Sequence, residues 1–371
     1  WKYNKEIVCG DYVVIKRGCD IDIKSRNIFD GFEFINDVEN FNKPKLLIKN
    51  EKDIPDWYYF FGLLIGDGCI LKTPMGVSIT SKDQETKDFL ESFSKKIGLH
   101  LSVSNKDGEC QDLRIYSKEL VSFLKFLGFN ESKAHQKTIP ETLTNNSKEN
   151  IKNLLIGLFD TDSYCSSQRR EKKGVNVKVG FTSTSETLLK QIQNLCLQFG
   201  IIFRKSVCFK GGASSFSNGK TYECKKAWSL ISCNQKDIRI FKNQIGFKIK
   251  RKNTLLESLE DQLVQNESFC DYIPYVGEHL ERHFGKKSIV DKKDSKYKLN
   301  FRKNTSKRLL GEILNTGRIQ GELLEKLSHL IREDLSFEEV VATEIGEAVT
   351  VDIHVENEHC YVADGIINHN S

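Results

Sequence analysis

The sequence predicts an α+β chain with an internally duplicated centre and two β-rich ends. Three observations carry that expectation. The stretch Tyr59 to Gly68, YFFGLLIGDG, is echoed by Leu154 to Tyr164, LLIGLFDTDSY, each a short apolar run with a Gly near its middle and an Asp near its end. After each run the same order of strand-like and helix-like segments recurs. Near both ends, in YVVIK and in VTVDIHV, β-branched and alternating residues read as strands.

An apolar run of this length is too short to cross a bilayer, which needs ~20 such residues, so each reads as a buried helix. Pro55 suits a position near the start of the first. Gly62 and Gly66 stand one helical turn apart in the first copy, and Gly157 and Thr161 do so in the second, which stacks small residues on one face. Two such faces can approach more closely than the usual ~8–10 Å between helix axes. Each helix then ends in a carboxylate, Asp67 or Asp162, and the two acids would meet at one end. For one copy alone, a core helix with a polar last residue explains the pattern equally well.

The segments that follow make the repeat concrete. After Gly68 come a strand, VSITS (Val77 to Ser81), and a helix over Lys82 to Gly98 with Phe89, Leu90, Phe93 and Ile97 at helical spacing. A strand, LRIYS, and a helix, KELVSFLKFLGF, complete the half. After Asp162 the order returns as VNVKVGFTSTS, ETLLKQIQNLCLQFG, AWSLISC and KDIRIFKNQIGF. Matching positions lie 95 apart (162 − 67), then 102 (200 − 98), then 118 (246 − 128). The drift falls largely on Lys210 to Lys220, KGGASSFSNGK, expected as a flexible loop. It is no phosphate cradle, because no GK[ST] closes it. Such a duplication implies a pseudo-twofold domain.

Composition bounds the rest. The 371 residues, 39% of them hydrophobic, are enough for roughly two or three globular domains. A net charge of +5 does not by itself establish a nucleic-acid partner. No membrane span or signal-peptide core is evident, so an intracellular setting without a membrane partner is expected. The eleven cysteines include no CxxC pair, which points to reduced thiols and away from a zinc ribbon. His279 and His283 share a helical face in EHLERH, but the HExxH order is missing and a solvated face is the simpler reading. Residue 1 is Trp and the only Met is Met75, so further sequence upstream is expected.

The paired runs, each with its final acid, together with KTIPE (Lys137 to Glu141) ahead of the second, resemble the motifs of the LAGLIDADG (DOD-type) homing endonucleases across roughly Pro55 to Leu256. The resemblance implies two β-sheets forming a saddle over double-stranded DNA, with the motif helices as the central seam. Oxygen-ligated divalent metal, Mg²⁺ or another divalent cation, would polarise the phosphate and activate water, and a pair of carboxylates supplies ligands for it. Asp67 and Asp162 are therefore the expected catalytic and metal-binding residues. A cation that stabilises developing charge is expected at Lys137 in the first half and at Lys250 or Lys252 in the second, with Lys252 preferred. Basic strips at Arg169, Arg170, Lys172 and Lys173, at Arg204 and Lys205, and at Lys248, Lys250 and Arg251 would neutralise backbone phosphates. Any one of them alone reads as a solvated face. Two departures stand out. Gly66 occupies a place where the family often has one of its two acids, and Ser163 stands where the family has Gly. If that Gly must adopt a left-handed backbone, which Ser resists, the second carboxylate is displaced and nuclease activity is lost.

The tail carries different chemistry. VDIHVENEHCYVADG, and IINHN followed by Ser371, resemble the two C-terminal splicing motifs of inteins, and GDYVVIKRG resembles the β-segment leading into an intein's endonuclease insertion. This implies an all-β Hint splicing domain around the duplicated saddle. Asn370 would cyclise and release Ser371, with His369, His359 and Asp352 assisting in proton transfer or carbonyl polarisation and the Ser371 hydroxyl accepting an upstream acyl group. No N-terminal nucleophile motif and no TxxH motif precede the first strand, and Cys9 is a poor substitute. The chain is thus expected to lack its first splicing segments and to need flanking host-protein segments or a separate N-terminal fragment as partners. The expected domains are 1–54 (first part of the splicing domain and a linker), 55–256 (endonuclease, halves 55–150 and 151–256), 257–335 (helical, extending the DNA contact) and 336–371 (last part of the splicing domain). The DNA partner would be the host gene without its insertion. The alternatives are a non-cleaving LAGLIDADG-type protein that binds DNA or matures RNA, and a degenerate intein that neither cuts nor splices.

Overall fold

The computed structural model describes residues 4–18, 23–34, 47–105, 109–170, 174–215, 219–258, 272–284, 304–332, 335–344, 346, 355, 360–363 and 365–369. They fall into two compact units, one of Trp1–Cys19, Leu197–Gly200 and Asn266–Ser371, the other of Asp20–Cys196 and Ile201–Gln265.

The larger unit holds the duplication. Helix α1 (Ile54–Asp67) begins with Pro55 in its first turn, where a missing N–H costs nothing. Trp57, Tyr58, Tyr59, Phe60 and Phe61 are all fully buried, as expected of a helix apolar all round. Phe93 of α2 (Gln84–Lys96) stacks on Phe60 at 4.8 Å between ring centroids, and Phe123 of α3 (Lys118–Phe126) meets Trp57 edge-on at 5.2 Å. The sheet of this half is antiparallel, in the order Gly68–Lys72, Met75–Ser81, Gln111–Tyr116, Leu101–Asn105. A short helix, α4 (Glu141–Thr144), leads to the second half.

There α5 (Lys148–Asp162) is capped at its start by the Ser147 hydroxyl, which accepts from Asn150 N. The second sheet repeats the first, with antiparallel strands Ser163–Arg170, Gly174–Ser183, Ala227–Ser232 and Arg204–Phe209 in the same spatial order. Helices α6 (Glu186–Gln198), α7 (Gln235–Gln244) and α8 (Lys250–Ser258) complete it.

The four-stranded sheet of each half therefore has two strands more than the sequence pattern showed. The first of each pair, Gly68–Lys72 and Ser163–Arg170, follows the acid directly, and the last, Leu101–Asn105 and Arg204–Phe209, is short and partly exposed. Such strands carry little apolar alternation to read. The expected flexible loop at Lys210 to Lys220 contains strand Gly212–Ser215, paired antiparallel with Thr221–Cys224. Residues 18–56, which take in the linker expected before the first motif helix, have no strand among those described. They instead bury Ile28, Phe29, Phe32 and Leu47, with Phe29 stacked on Phe123 at 5.2 Å, because apolar side chains so closely spaced are better placed in a core than in water.

In the smaller unit, strands from near both ends of the chain share one antiparallel sheet, ordered Leu335–Glu339, Tyr12–Lys16, Ile366–His369, Cys360–Ala363. Tyr12 pairs with Glu339 and Ile15 with both Ser336 and Ile366. Helices Val276–Phe284, Lys307–Asn315 and Glu322–Arg332 enclose Leu280, Leu310, Ile313, Ile319 and Leu327, beside a strand pair Tyr272–Pro274 and Asn304–Ser306. The strand expected through Val349, Val351 and Ile353 lies outside the described residues. Among the described residues no helix is long and apolar enough to cross a membrane, and the described cysteines are free thiols.

Candidate functional site

The seam between α1 and α5 is set by glycine. A Cβ on Gly62 would run into the Leu154 carbonyl oxygen and come within 2.8 Å of Gly157 Cα. A Cβ on Gly157 would run into the Tyr59 carbonyl oxygen and come within 3.0 Å of Gly62 Cα. The two backbones touch, and only hydrogen fits between them. One turn further on, a Cβ on Gly66 would lie 2.6 Å from Thr161 Cβ, so the small residues of each motif do face one another.

That packing brings the two helix ends together. Asp67 is the last residue of α1 and Asp162 the last of α5, and both side chains open to solvent. Surrounding protein and then the charge of Asp162 push the Asp67 carboxyl up to about 6, against the pull of Lys137 and Lys252. Asp67 still meets water, which screens part of this. Asp162 is raised too, by burial, with Lys137 and then Lys252 opposing. Two carboxylates at the negative ends of two helix dipoles are poorly placed unless cations compensate.

Two lysines do so. Lys137 donates from Nζ to the carbonyl oxygens of Gly66 and, at 3.1 Å, Gly68. Lys252 is 6% exposed and donates at 2.9 Å to each of the carbonyl oxygens of Phe159, Asp160 and Thr161. Each amine satisfies the carbonyls that a helix end leaves without partners. Burial lowers the affinity of both for protons, Lys252 to about 8, while nearby carboxylates oppose the change. The choice between Lys250 and Lys252 falls to Lys252, since Lys250 is exposed and its backbone N–H meets Glu85 at 3.3 Å.

A third acid was not singled out by sequence. Asp160, 3% exposed, accepts from the Tyr59 hydroxyl at 2.7 Å and from the backbone N–H groups of Lys248 at 3.1 Å and Ile249 at 3.3 Å. Burial pushes its carboxyl up to about 6, and the hydrogen bonds pull the other way. The available signal was the first Asp in LFDTD, which has no counterpart in LLIGDG because Ile65 holds that place.

Across residues 149–246 the chain matches the family described as LAGLIDADG-like domain. That match spans most of the second half. Among curated proteins the chain is similar to DNA-directed RNA polymerase subunit Rpo1C of Methanocaldococcus jannaschii, at 25% identity over 99% of this chain and 42% of that protein. It is also similar to glutamine–fructose-6-phosphate aminotransferase (isomerizing) of the same organism, at 24% identity over 85% of this chain and 27% of that protein. The chain thus spans less than half the length of either. Among solved structures it is similar to I-DmoI in complex with DNA and Ca, with a TM-score of 0.37 and 15% identity over 55% of this chain and 98% of that one.

Ser163 opens the first strand of the LAGLIDADG-like half, and it corrects an expectation. Its backbone lies at φ −101° and ψ 163°, and that of Gly68 at φ −108° and ψ 170°. Both are extended, so neither position asks for a left-handed residue and Ser163 does not displace Asp162 on that account. Its hydroxyl donates back to the Phe159 carbonyl.

The expected DNA contacts divide. Lys205 pairs with Glu186, and Arg251 forks onto Asp83 at 2.6 and 3.0 Å. Lys248 holds its amine 3.8 Å from the Tyr59 ring centroid. These three meet protein partners; Arg204 and Lys250 are exposed, and Arg169 and Arg170 end a strand. Lys172 and Lys173 lie outside the described residues, as do Asp352, His359, Asn370 and Ser371. His369 is exposed at the end of its strand, across from Cys360. No group of three or more His, Cys, Asp or Glu suited to a metal occurs among the described residues, so the site offers two carboxylates and no complete cage.

Proposed function

We propose that the unit carrying the duplication is an endonuclease that cuts both strands of a DNA duplex, with Asp67 and Asp162 as its paired acids. The observation that carries this is the meeting of two carboxylates, one from each half, at the end of a glycine-packed seam. Two acids without further protein ligands fit Mg²⁺, a hard cation that keeps several waters and shares its remaining positions with phosphate oxygens. Bound there, such an ion would supply charge to polarise the phosphate and make water a better nucleophile. The chain's own residues do the rest. Asp67 and Asp162 would hold that charge, while Lys137 and Lys252 fix the two helix ends beneath them and place positive charge beside the developing anion. Arg169, Arg170, Arg204 and Lys250 are the phosphate contacts of this reading, which makes binding weaken as salt rises.

A supercoiled plasmid carrying the host gene without its insertion tests the proposal. Mg²⁺ should give a single double-strand cut, EDTA should abolish it, and Asp67→Asn should slow it about 10³-fold or more. Binding without cutting in both Mg²⁺ and Mn²⁺ would leave the non-cleaving alternative standing.

A second reading, an inserted element with splicing chemistry, has support of its own. An RNA polymerase subunit and an aminotransferase share no activity, which favours a transferable segment as the part this chain has in common with them. Strands Tyr12–Lys16 and Ile366–His369 also lie in one sheet, as a passenger between two host segments requires. In this reading the Asn370 side-chain nitrogen attacks its own backbone carbonyl carbon, a succinimide ring closes, and the bond to Ser371 breaks as the Ser371 nitrogen takes a proton. His369 and His359 polarise the carbonyl or deliver that proton, and Asp352 assists. With a downstream extension fused after Ser371, Asn370→Ala should leave the junction uncut, and release in that variant would sink the reading.

A further inference from the structure

The buried Asp160 carboxylate stands two residues before Asp162 in α5, and its partners show what it holds. On one side it receives the N–H groups of Lys248 and Ile249, the two residues immediately before α8. On the other it receives the Tyr59 hydroxyl from α1 at 2.7 Å. One turn into α8, Lys252 reaches back to the carbonyl oxygens of Phe159, Asp160 and Thr161, all at 2.9 Å. The start of α8 and the end of α5 are thus clamped in both directions. Acid accepts from helix start, and amine donates to helix end.

We infer that Asp160 is a positioning residue for Lys252, and hence that it serves the strand cut that depends on Lys252 and not the one that depends on Lys137. The first half has nothing equivalent, because Ile65 occupies the matching place in α1 and Lys137 comes from the loop before α4. A buried carboxylate that accepts backbone N–H groups at a helix start both satisfies those donors and fixes where the helix points. The amine it steers has little room to compensate, since it is itself buried.

This inference rests on the nuclease reading, so its test has one arm that needs no cutting. In hydrogen exchange, Asp160→Ala should speed exchange of the α8 amides over residues 250–258 at least about tenfold, while Asp160→Asn, which keeps an acceptor oxygen in place, should not. On the supercoiled plasmid, Asp160→Ala should accumulate nicked circles, with one strand slowed about ten- to a hundredfold relative to the other. That strand should be the one slowed by Lys252→Met, and the double variant should be no slower than Lys252→Met alone. Unchanged exchange in α8, or equal slowing of both strands by a folded Asp160→Ala, overturns the inference. If the wild-type protein does not cut, the nuclease reading falls while the exchange arm still decides whether Asp160 holds α8.

Discussion

The two halves of the duplicated unit share strand order, helix order and the place of their acids, yet they secure those acids by different means. In the first half the motif helix is apolar from Trp57 onward, and the lysine at its end is half-exposed and comes from a loop. In the second, the helix starts with polar residues such as Asn150 and Asn153, and its lysine is buried, three-coordinate and braced by Asp160. What both halves retain is the glycine at the crossing. The pseudo-symmetry therefore resides in backbone contact, while the halves are free to diverge wherever a side chain does the holding.

The crossing should consequently be the place where the halves respond alike. Gly62→Ala and Gly157→Ala each push a methyl against backbone atoms that cannot rotate away. Each should cost about 3 kcal/mol by overpacking. The two losses, measured by chemical denaturation, should agree to within about 0.5 kcal/mol. A large inequality would mean that one helix yields and the other does not, and the symmetry of the seam would be broken.

The lysines should show the opposite. Lys252→Met leaves three buried carbonyls at the end of α5 without their donor, a loss of about 2–3 kcal/mol. Lys137→Met removes a half-buried amine with two carbonyl partners in place of three, a loss of about 1 kcal/mol. Thermal unfolding of the two variants side by side checks the order. Equal losses would show that the brace around Lys252 adds nothing.

How much of this was legible in the sequence follows the same division. The seam was readable because Gly62, Gly66, Gly157 and Thr161 sit at helical spacing, and spacing is a local property. Asp67 and Asp162 followed from it, as did the central helices and four of the strands. Asp160 was not readable, because nothing near it in sequence announces that Lys248 and Ile249 will bring their N–H groups to it from 88 and 89 residues away. Lys205 and Arg251 read as phosphate contacts for the same reason: Glu186 and Asp83 become their neighbours only once the chain folds. The outer strands escaped notice because their residues alternate weakly, and their pairing partners decide them.

The smallest expected effect concerns the residue that looked most damaging in the sequence. Ser163 and Gly68 have nearly the same extended backbone, but a Cβ on Gly68 would lie 2.7 Å from the Leu64 carbonyl oxygen, whereas Ser163 carries its Cβ and turns the hydroxyl onto Phe159. The first junction needs its glycine for room and the second does not. Ser163→Gly should then lose about 1 kcal/mol, from the freer unfolded chain and the missing hydroxyl contact, with no gain in cutting. The buried Lys252 amine, 3.4 Å from that hydroxyl, keeps its three carbonyl partners. A variant that instead cut faster would mean that Ser163 does hold Asp162 out of place, through the path of its strand and not through a left-handed backbone.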